Sequence, residues 1–415
     1  MFLGDVAMGS YACIKIGNYD FLMNKNSFGG LLQFFSKEDQ LVETVNEDGE
    51  DKKYYYYQST VEKVKRVLDV IGYSIKSTQE CFNEYFNYLT QEDGYEFTNF
   101  TLEEIHSSFT FDLWTEAVKK YARLLSINGY DYYDTAEKEK KECISIAESF
   151  VLDSLAFMDN SYFGVDYDYA NPFSIFRVVL DAFDDTTKVV LDYTDLYLGG
   201  WCEETPSDEE FEVPKTIILT EGKFDVEVIS GAMKLLYPEL CKCFSFMNFT
   251  EYKVNGSTNF LTHYIKAFIA AGVQNQVIAI YDNDSAGKAE LINLSSLQIP
   301  SRFKILTLPD IEIANNYPTL GPSGNEVMNI NGLACSIEFF LGAELLKDND
   351  EFIPIQWNGY VEKTKTYQGE IMKKGEIQNR FKKKLSSCLE SKRYTKENWK
   401  EMNQLLISIF SAFEN

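Results

Sequence analysis

The sequence predicts an α/β protein built on a mostly parallel, Rossmann-like sheet in the second half of the chain. A small β-rich region and a helical region precede it, and a basic helical segment follows. Three observations predict this. From residue 215 onward, short apolar runs alternate with helical patterns roughly 10–15 residues long, which implies crossover connections and parallel strands. Between residues 59 and 200 the apolar spacing is helical, and Pro172 is the one proline in that stretch. The first 58 residues instead alternate short apolar runs with turn signals.

Taken in order, Ala12–Ile16 followed by Gly17-Asn18 reads as a strand and turn, Gly29-Gly30 and 46–51 as loops, and Tyr54–Tyr57 as a strand. Near residue 59 the period changes. Val61, Val64, Val67, Leu68 and Ile71 keep helical spacing, with Ser59 or Thr60 as the N-cap. Helices are expected over about 60–70, 76–90, 101–126, 135–157 and 172–182. The acidic, proline-containing stretch 201–212 has little to bury and reads as a linker. Strands are then expected over 215–220, 243–248, 277–281 and 303–308, with helices over 225–237, 257–271 and 286–297 between them. The rhythm fades after about residue 310. A short helix start is expected near 333–342, and an amphipathic helix over 399–413. The expected domains are therefore 1–58, 59–200, 213–345 and 346–415, with the linker at 201–212.

A chain of 415 residues has room for two or three cores. No run of about 18 uncharged apolar residues is present, so no membrane span is expected. The opening Met1–Asp5 lacks a basic region and a long apolar segment, which predicts no secretion. The eight cysteines (13, 81, 143, 202, 241, 243, 335 and 388) are scattered without a CxxC pair, which argues against a zinc ribbon and for reduced thiols in a cytoplasm. The net charge is −25, unevenly spread. Residues 363–400 hold twelve Lys or Arg against four Asp or Glu, while the rest of the chain holds 27 against 60. A nucleic acid would be drawn to this basic segment and repelled elsewhere. Lys373, Lys374, Arg380, Lys382, Lys383 and Lys384 are its candidate phosphate contacts; the bland alternative is a solvated helix face.

Two acidic segments carry the chemistry. Glu221-Gly222-Lys223-Phe224-Asp225 follows the first expected strand of the parallel sheet, and Asp282-Asn283-Asp284-Ser285-Ala286-Gly287 follows the third. In such sheets, functional groups gather at the carboxyl ends of the strands. Carboxylates converging there repel one another unless a hard divalent cation lies between them, which points to Mg²⁺ or Mn²⁺. A cation so held activates water and stabilises charge on a phosphate. Glu221, Asp282 and Asp284 are the candidate catalytic carboxylates and metal ligands. The bland alternative makes these carboxylates ordinary helix caps.

The two motifs, EGxxD and DxDxAG, resemble the Toprim domain of topoisomerases, bacterial primases and overcoming-lysogenization-defect nucleases, over about residues 213–310. The resemblance implies a Toprim α/β fold, with Glu221 as a metal-site or acid/base residue, Asp282 and Asp284 as ligands and Asp225 as the motif's second acidic residue. Ser336-Ile337-Glu338 resembles a further acidic motif of Toprim nucleases, making Glu338 a candidate ligand of a second metal. The stretch Lys373–Phe381 resembles the segment downstream of that core, where a lysine steadies a phosphate. Met8–Gly17 and Val67–Ser74 resemble the N-terminal domain of bacterial HEPN/Toprim proteins, which implies a HEPN-like helical region and a role in phage defence, in abortive infection. The RxxxxH ribonuclease signature is absent: Thr101 and Thr258 stand five positions before the two histidines, His106 and His263.

Several roles are disfavoured. There is no zinc module of a primase, the chain is short for a gated topoisomerase, and no GxxxxGK[ST] is present. The expectation is a Mg²⁺- or Mn²⁺-dependent endonuclease acting on DNA or RNA, with an ATPase or another defence protein as partner. A homodimer is compatible with the aromatic content. The alternative from another class is a sensor or binding subunit, inactive until an ATPase partner releases it. A third option is phosphate-ester chemistry on a nucleotide.

Overall fold

The computed structural model describes residues 9–91, 100–129, 145–157, 161–322 and 324–414. Met1–Asp5, Met8, Cys143 and the 135–144 part of an expected helix lie outside the described residues. The chain forms two compact units, one ending at Val213 and the other beginning at Pro214.

The first unit is built on an antiparallel sheet of β1 (Tyr11–Ile16), β2 (Tyr19–Lys25), β3 (Gln40–Glu47), β4 (Glu50–Thr60) and β5 (Lys188–Asp192), in the order β2-β1-β5-β4-β3. Strand β5 corrects two expectations. It lies within the stretch expected to be wholly helical, and it pairs with both β1 and β4, so residue 58 is not a boundary between units. Its signal is short: Val189 and Leu191 are buried between more exposed neighbours, a period of two over five residues. The linker expectation is also corrected. Phe211 is buried with its ring 5.6 Å from that of Tyr57, and the Glu204 carbonyl accepts a bond from the Tyr193 hydroxyl at 2.8 Å. Acidic composition hid one apolar anchor.

The longer helices described in this unit are α1 (Val61–Val70), α2 (Ile75–Leu89), α3 (Leu102–Ser108), α4 (Phe111–Asn128), α5 (Ile146–Phe157) and α6 (Pro172–Leu180). Thr60 caps α1, its hydroxyl accepting the Lys63 N–H. The single helix expected over 101–126 is two, because Thr110 takes extended geometry and caps α4. The Trp114 indole, fully buried in α4, donates to the Phe163 carbonyl at 2.8 Å.

The second unit carries the expected alternation. Strands β6 (Thr216–Leu219), β7 (Phe244–Phe246), β8 (Val277–Tyr281) and β9 (Phe303–Thr307) form an all-parallel sheet in the order β9-β8-β6-β7. Helices α7 (Lys223–Leu236), α8 (Thr258–Ala270) and α9 (Ser285–Leu294) make the crossovers. All five residues of β8 are buried, as a central parallel strand covered on both faces requires. Leu219, Ile265, Val277, Ala279, Tyr281 and Phe303 share one core, each large aliphatic member contributing roughly 1.5–3 kcal/mol.

Beyond residue 310 the chain forms a second sheet of β10 (Tyr317–Gly321), β11 (Gly324–Met328), β12 (Ile355–Val361) and β13 (Thr366–Ile371), in the order β11-β10-β12-β13. Helices α10 (Lys374–Ser391) and α11 (Lys400–Phe410) follow. Since β12 pairs with β10 through Thr319 and Ile355, residue 345 is no boundary and the last segment is not purely helical. The expected helix start at 333–342 is a two-residue strand, Ala334–Cys335, then a 3-10 turn, Ile337–Phe340.

Candidate metal centre

Strand β6 ends at Leu219, and two residues later Glu221 turns back over the neighbouring strand. Its Oε1 accepts the backbone N–H of Asp282 at 3.0 Å, and its Oε2 accepts the Thr258 hydroxyl at 2.7 Å. Two crossovers apart in sequence, the EGxxD and DxD segments are thus joined directly at the carboxyl ends of β6 and β8. Within the DxD turn itself the chain folds back tightly: a Cβ on Gly287 would stand 2.4 Å from the Asp282 carbonyl oxygen.

Asp225 occupies the first turn of α7, its Oδ2 accepting the Gly222 N–H at 2.9 Å. Asp284 caps α9: Oδ1 accepts the Gly287 N–H at 2.7 Å and Oδ2 the Gln368 amide at 2.6 Å. The helix-cap alternative therefore holds locally for both residues. It does not account for what the carboxylates do to one another. Burial pushes Asp282 well above the usual carboxylate range, and Glu221, Asp225, Asp284 and Glu338 push it further. Burial, then Glu221 and Glu338, raise Asp225 to about 7. Glu221 is raised by burial, against the bonds from Thr258 and Asp282 and with the help of Asp284. Caps alone would be lowered by the helix amides.

Glu338 is fully buried in the 3-10 turn. It accepts bonds from Ser336 at 2.6 Å and Gln378 at 2.8 Å, and Lys374 Nζ stands 3.6 Å from its Oε1. Burial works against the Lys374 charge, but Glu338, Asp282 and Glu370 outweigh it and raise the ammonium's pKa. The structure thus brings together Glu221, Asp225, Asp282, Asp284, Glu338 and Lys374.

The donor set is oxygen-only and strongly acidic, which suits Mg²⁺ or Mn²⁺ rather than zinc or copper. The raising of Glu221, Asp225 and Asp282, by burial and by the carboxylates around them, marks an excess of negative charge that a divalent cation would relieve. Among the described residues, no three His, Cys, Asp or Glu side chains stand in a ready-made coordination shell. The amide and hydroxyl donors just named hold several of the oxygens instead.

The remaining candidate phosphate contacts divide. Lys373 and Arg380 both pair with Asp348 at 2.5 Å, and Arg380 also donates to the Lys347 carbonyl at 3.0 Å. Lys384 is largely buried, donating to the Leu341 and Asn398 carbonyls at 2.7 Å, pairing with Glu344 and lying over the Trp399 ring. Arg380 and Lys384 thus tie α10 to the unit. Lys382 pairs with Glu227 at 2.7 Å, and Lys383 is exposed. Both histidines sit on helix surfaces: His106 packs on Phe86, and His263 bonds the Asn259 carbonyl.

Three partners escaped the sequence reading. Thr258, considered only as the residue that breaks RxxxxH, bonds Glu221; Gln368 bonds Asp284; Gln378 bonds Glu338. Gln378 had a usable signal, lying four residues after Lys374 on one helix face. Gln368 and Thr258 had none.

A family model described as HEPN/Toprim N-terminal domain 1 matches residues 8–216, half of the chain. That span stops at the first residue of β6, before the carboxylates. No curated protein and no solved structure matches the chain.

Proposed function

This chain belongs to the HEPN/Toprim N-terminal domain 1 family, and we propose that its second unit is a Toprim domain acting as a Mg²⁺- or Mn²⁺-dependent endonuclease. The observation that carries the reading is the convergence of Glu221, Asp225, Asp282, Asp284 and Glu338, from three separate segments, with Lys374 of a fourth beside them. The family name is consistent with a nuclease-associated protein, and we place the activity in bacterial anti-phage defence, as the effector of a larger complex.

Glu221, Asp282 and Asp284 would hold one cation, and Asp225 with Glu338 would serve a second. The cation supplies water activation and neutralises charge on the phosphate. The chain's own groups do the rest. Thr258 and the Asp282 amide fix the Glu221 carboxylate, and Gln368 and the α9 amides fix Asp284. Lys374, kept protonated by Glu338 and Asp282, is placed to steady a phosphate oxygen.

The test is incubation of the full chain with plasmid, total RNA and tRNA in Mg²⁺, Mn²⁺ or chelator. Cleavage is expected only with metal and is abolished by Asp282→Ala. Equal cutting by wild type and that variant ends the proposal. A second reading, a partner-gated subunit that works with a separate ATPase, is favoured by the net charge of −25 and by the internal pairing of Arg380 and Lys384. Cleavage that appears only after an ATPase partner is added would select it.

A further inference from the structure

Beside the carboxylates, the second sheet of this unit encloses a groove of about 970 Å³, lined by Leu333, Trp357, Tyr360, Thr366 and Tyr367 among others. Tyr360 and Tyr367 face each other across β12 and β13, their rings 5.2 Å apart at 67°. They are 52% and 61% exposed, so two large rings stand in solvent on adjacent strands without a cover in this unit. Gly321, Gly324 and Gly359 leave parts of the wall without side chains. A cross-strand pair of aromatic rings stabilises a hairpin when its faces are packed, but exposed rings over an open groove are surface a soluble fold usually hides.

The groove is continuous with the DxD segment. Ser285, next to Asp284, bonds both the Thr366 hydroxyl and the Tyr367 carbonyl at 2.8 Å. The Ala286 N–H bonds Gln368, whose amide in turn holds Asp284. The Ser285 N–H bonds the Leu333 carbonyl, and Leu333 lines the groove. Leu333, Thr366 and Tyr367 of the groove wall are thus hydrogen-bonded to Ser285, the residue next to Asp284.

Resting on the nuclease reading above, we infer that this groove holds unpaired bases and that the substrate enters as a single strand. Aromatic faces accept any base by stacking, without sequence preference. The groove's one acidic side chain, Glu326, disfavours a phosphate track along its wall and leaves the base faces as the groups that fit. The turn between β12 and β13 carries exposed Lys365 and Lys363, the latter bonded to Asn293, against one exposed acid, Glu362, a net positive charge at the edge where a backbone would run. A duplex keeps its base faces stacked inside and offers the rings nothing.

The experiment is fluorescence anisotropy of a labelled 12-nucleotide oligo-dT or oligo-U, and of a duplex of equal length, with the full chain in chelator so that no cleavage intervenes. The single strand is expected to bind more tightly than the duplex. Tyr360→Ala/Tyr367→Ala should weaken that binding by roughly 5-fold or more, and Tyr360→Phe/Tyr367→Phe should restore it. Preference for the duplex, or unchanged affinity in the alanine pair, overturns the inference. The two readings fail separately: lost stacking without any metal-dependent cleavage removes the nuclease and keeps the groove, while full cleavage of single strands by the alanine pair removes the groove and keeps the nuclease.

Discussion

Asp225→Asn isolates the electrostatics of the carboxylate cluster from its helix-capping role. An asparagine oxygen still accepts the Gly222 N–H that Asp225 holds at 2.9 Å, so the first turn of α7 keeps its partner. What is lost is the charge. Burial, Glu221 and Glu338 raise the Asp225 pKa from 3.8 to about 7. At ~1.36 kcal/mol per unit this is ~4 kcal/mol against the ionised form near neutral pH, and solvent at the partly exposed side chain reduces it to roughly 2 kcal/mol. The sign follows from the direction. A carboxyl raised on folding binds more protons in the native state, so metal-free protein gains stability as pH falls from about 8 through 7 and ceases to gain near the unfolded value of 3.8. Urea unfolding in chelator at pH 7.5, with hydrogen exchange of peptides from α7 to localise the effect, should find the Asn variant more stable by that amount. Its stability should also vary less between pH 8 and 5. In Mg²⁺ or Mn²⁺ the order should reverse, because wild type gains more by ligation. An Asn variant no more stable than wild type in chelator would refute the claim that like charges crowd Asp225.

Three further substitutions have expected outcomes. Gly287→Ala drives a Cβ to 2.4 Å from the Asp282 carbonyl and 3.3 Å from Asp284 Oδ1; displacement of the DxD turn should lower the cleavage rate on the order of 100-fold while the circular dichroism spectrum stays native. Lys384→Met removes charged donors from the Leu341 and Asn398 carbonyls and should cost roughly 3 kcal/mol in urea unfolding. It should leave the salt dependence of nucleic-acid binding unchanged, whereas Lys383→Ala should reduce that slope by about 1.

The parallel sheet and its carboxylates were legible because their signals are local and repeated. Each strand is a short apolar run, each crossover helix is long enough to read, and strand ends in such sheets face one edge, so Glu221 and Asp282 could be placed together 61 residues apart. Strand β5 was not legible, since a five-residue alternation inside a helical stretch reveals neither its partner nor its order in the sheet. The linker reading failed on one side chain: composition averages over Phe211, and packing does not. Composition is just as blind within the basic segment. A count of lysines cannot tell a cation facing solvent from one committed to a carbonyl, and Lys384 sits beside Lys383 with the opposite fate.

That division of the lysines bears on how an acidic chain could handle a polyanion. Net charge is −25, and the ion pairs of Lys373, Arg380, Lys382 and Lys384 leave α10 less positive than its composition suggests. Long-range attraction of a phosphate backbone is then weak, and a nuclease built this way needs short-range contacts instead. Stacking on Tyr360 and Tyr367 is short-ranged and screened little by salt. A divalent cation among Glu221, Asp282 and Asp284 would turn the most repulsive point of the unit into a phosphate site. Single-strand binding that survives high salt in chelator and tightens further when Mg²⁺ or Mn²⁺ is added is the behaviour this combination requires, and binding lost at high salt and indifferent to the cation would assign the affinity to free lysines after all.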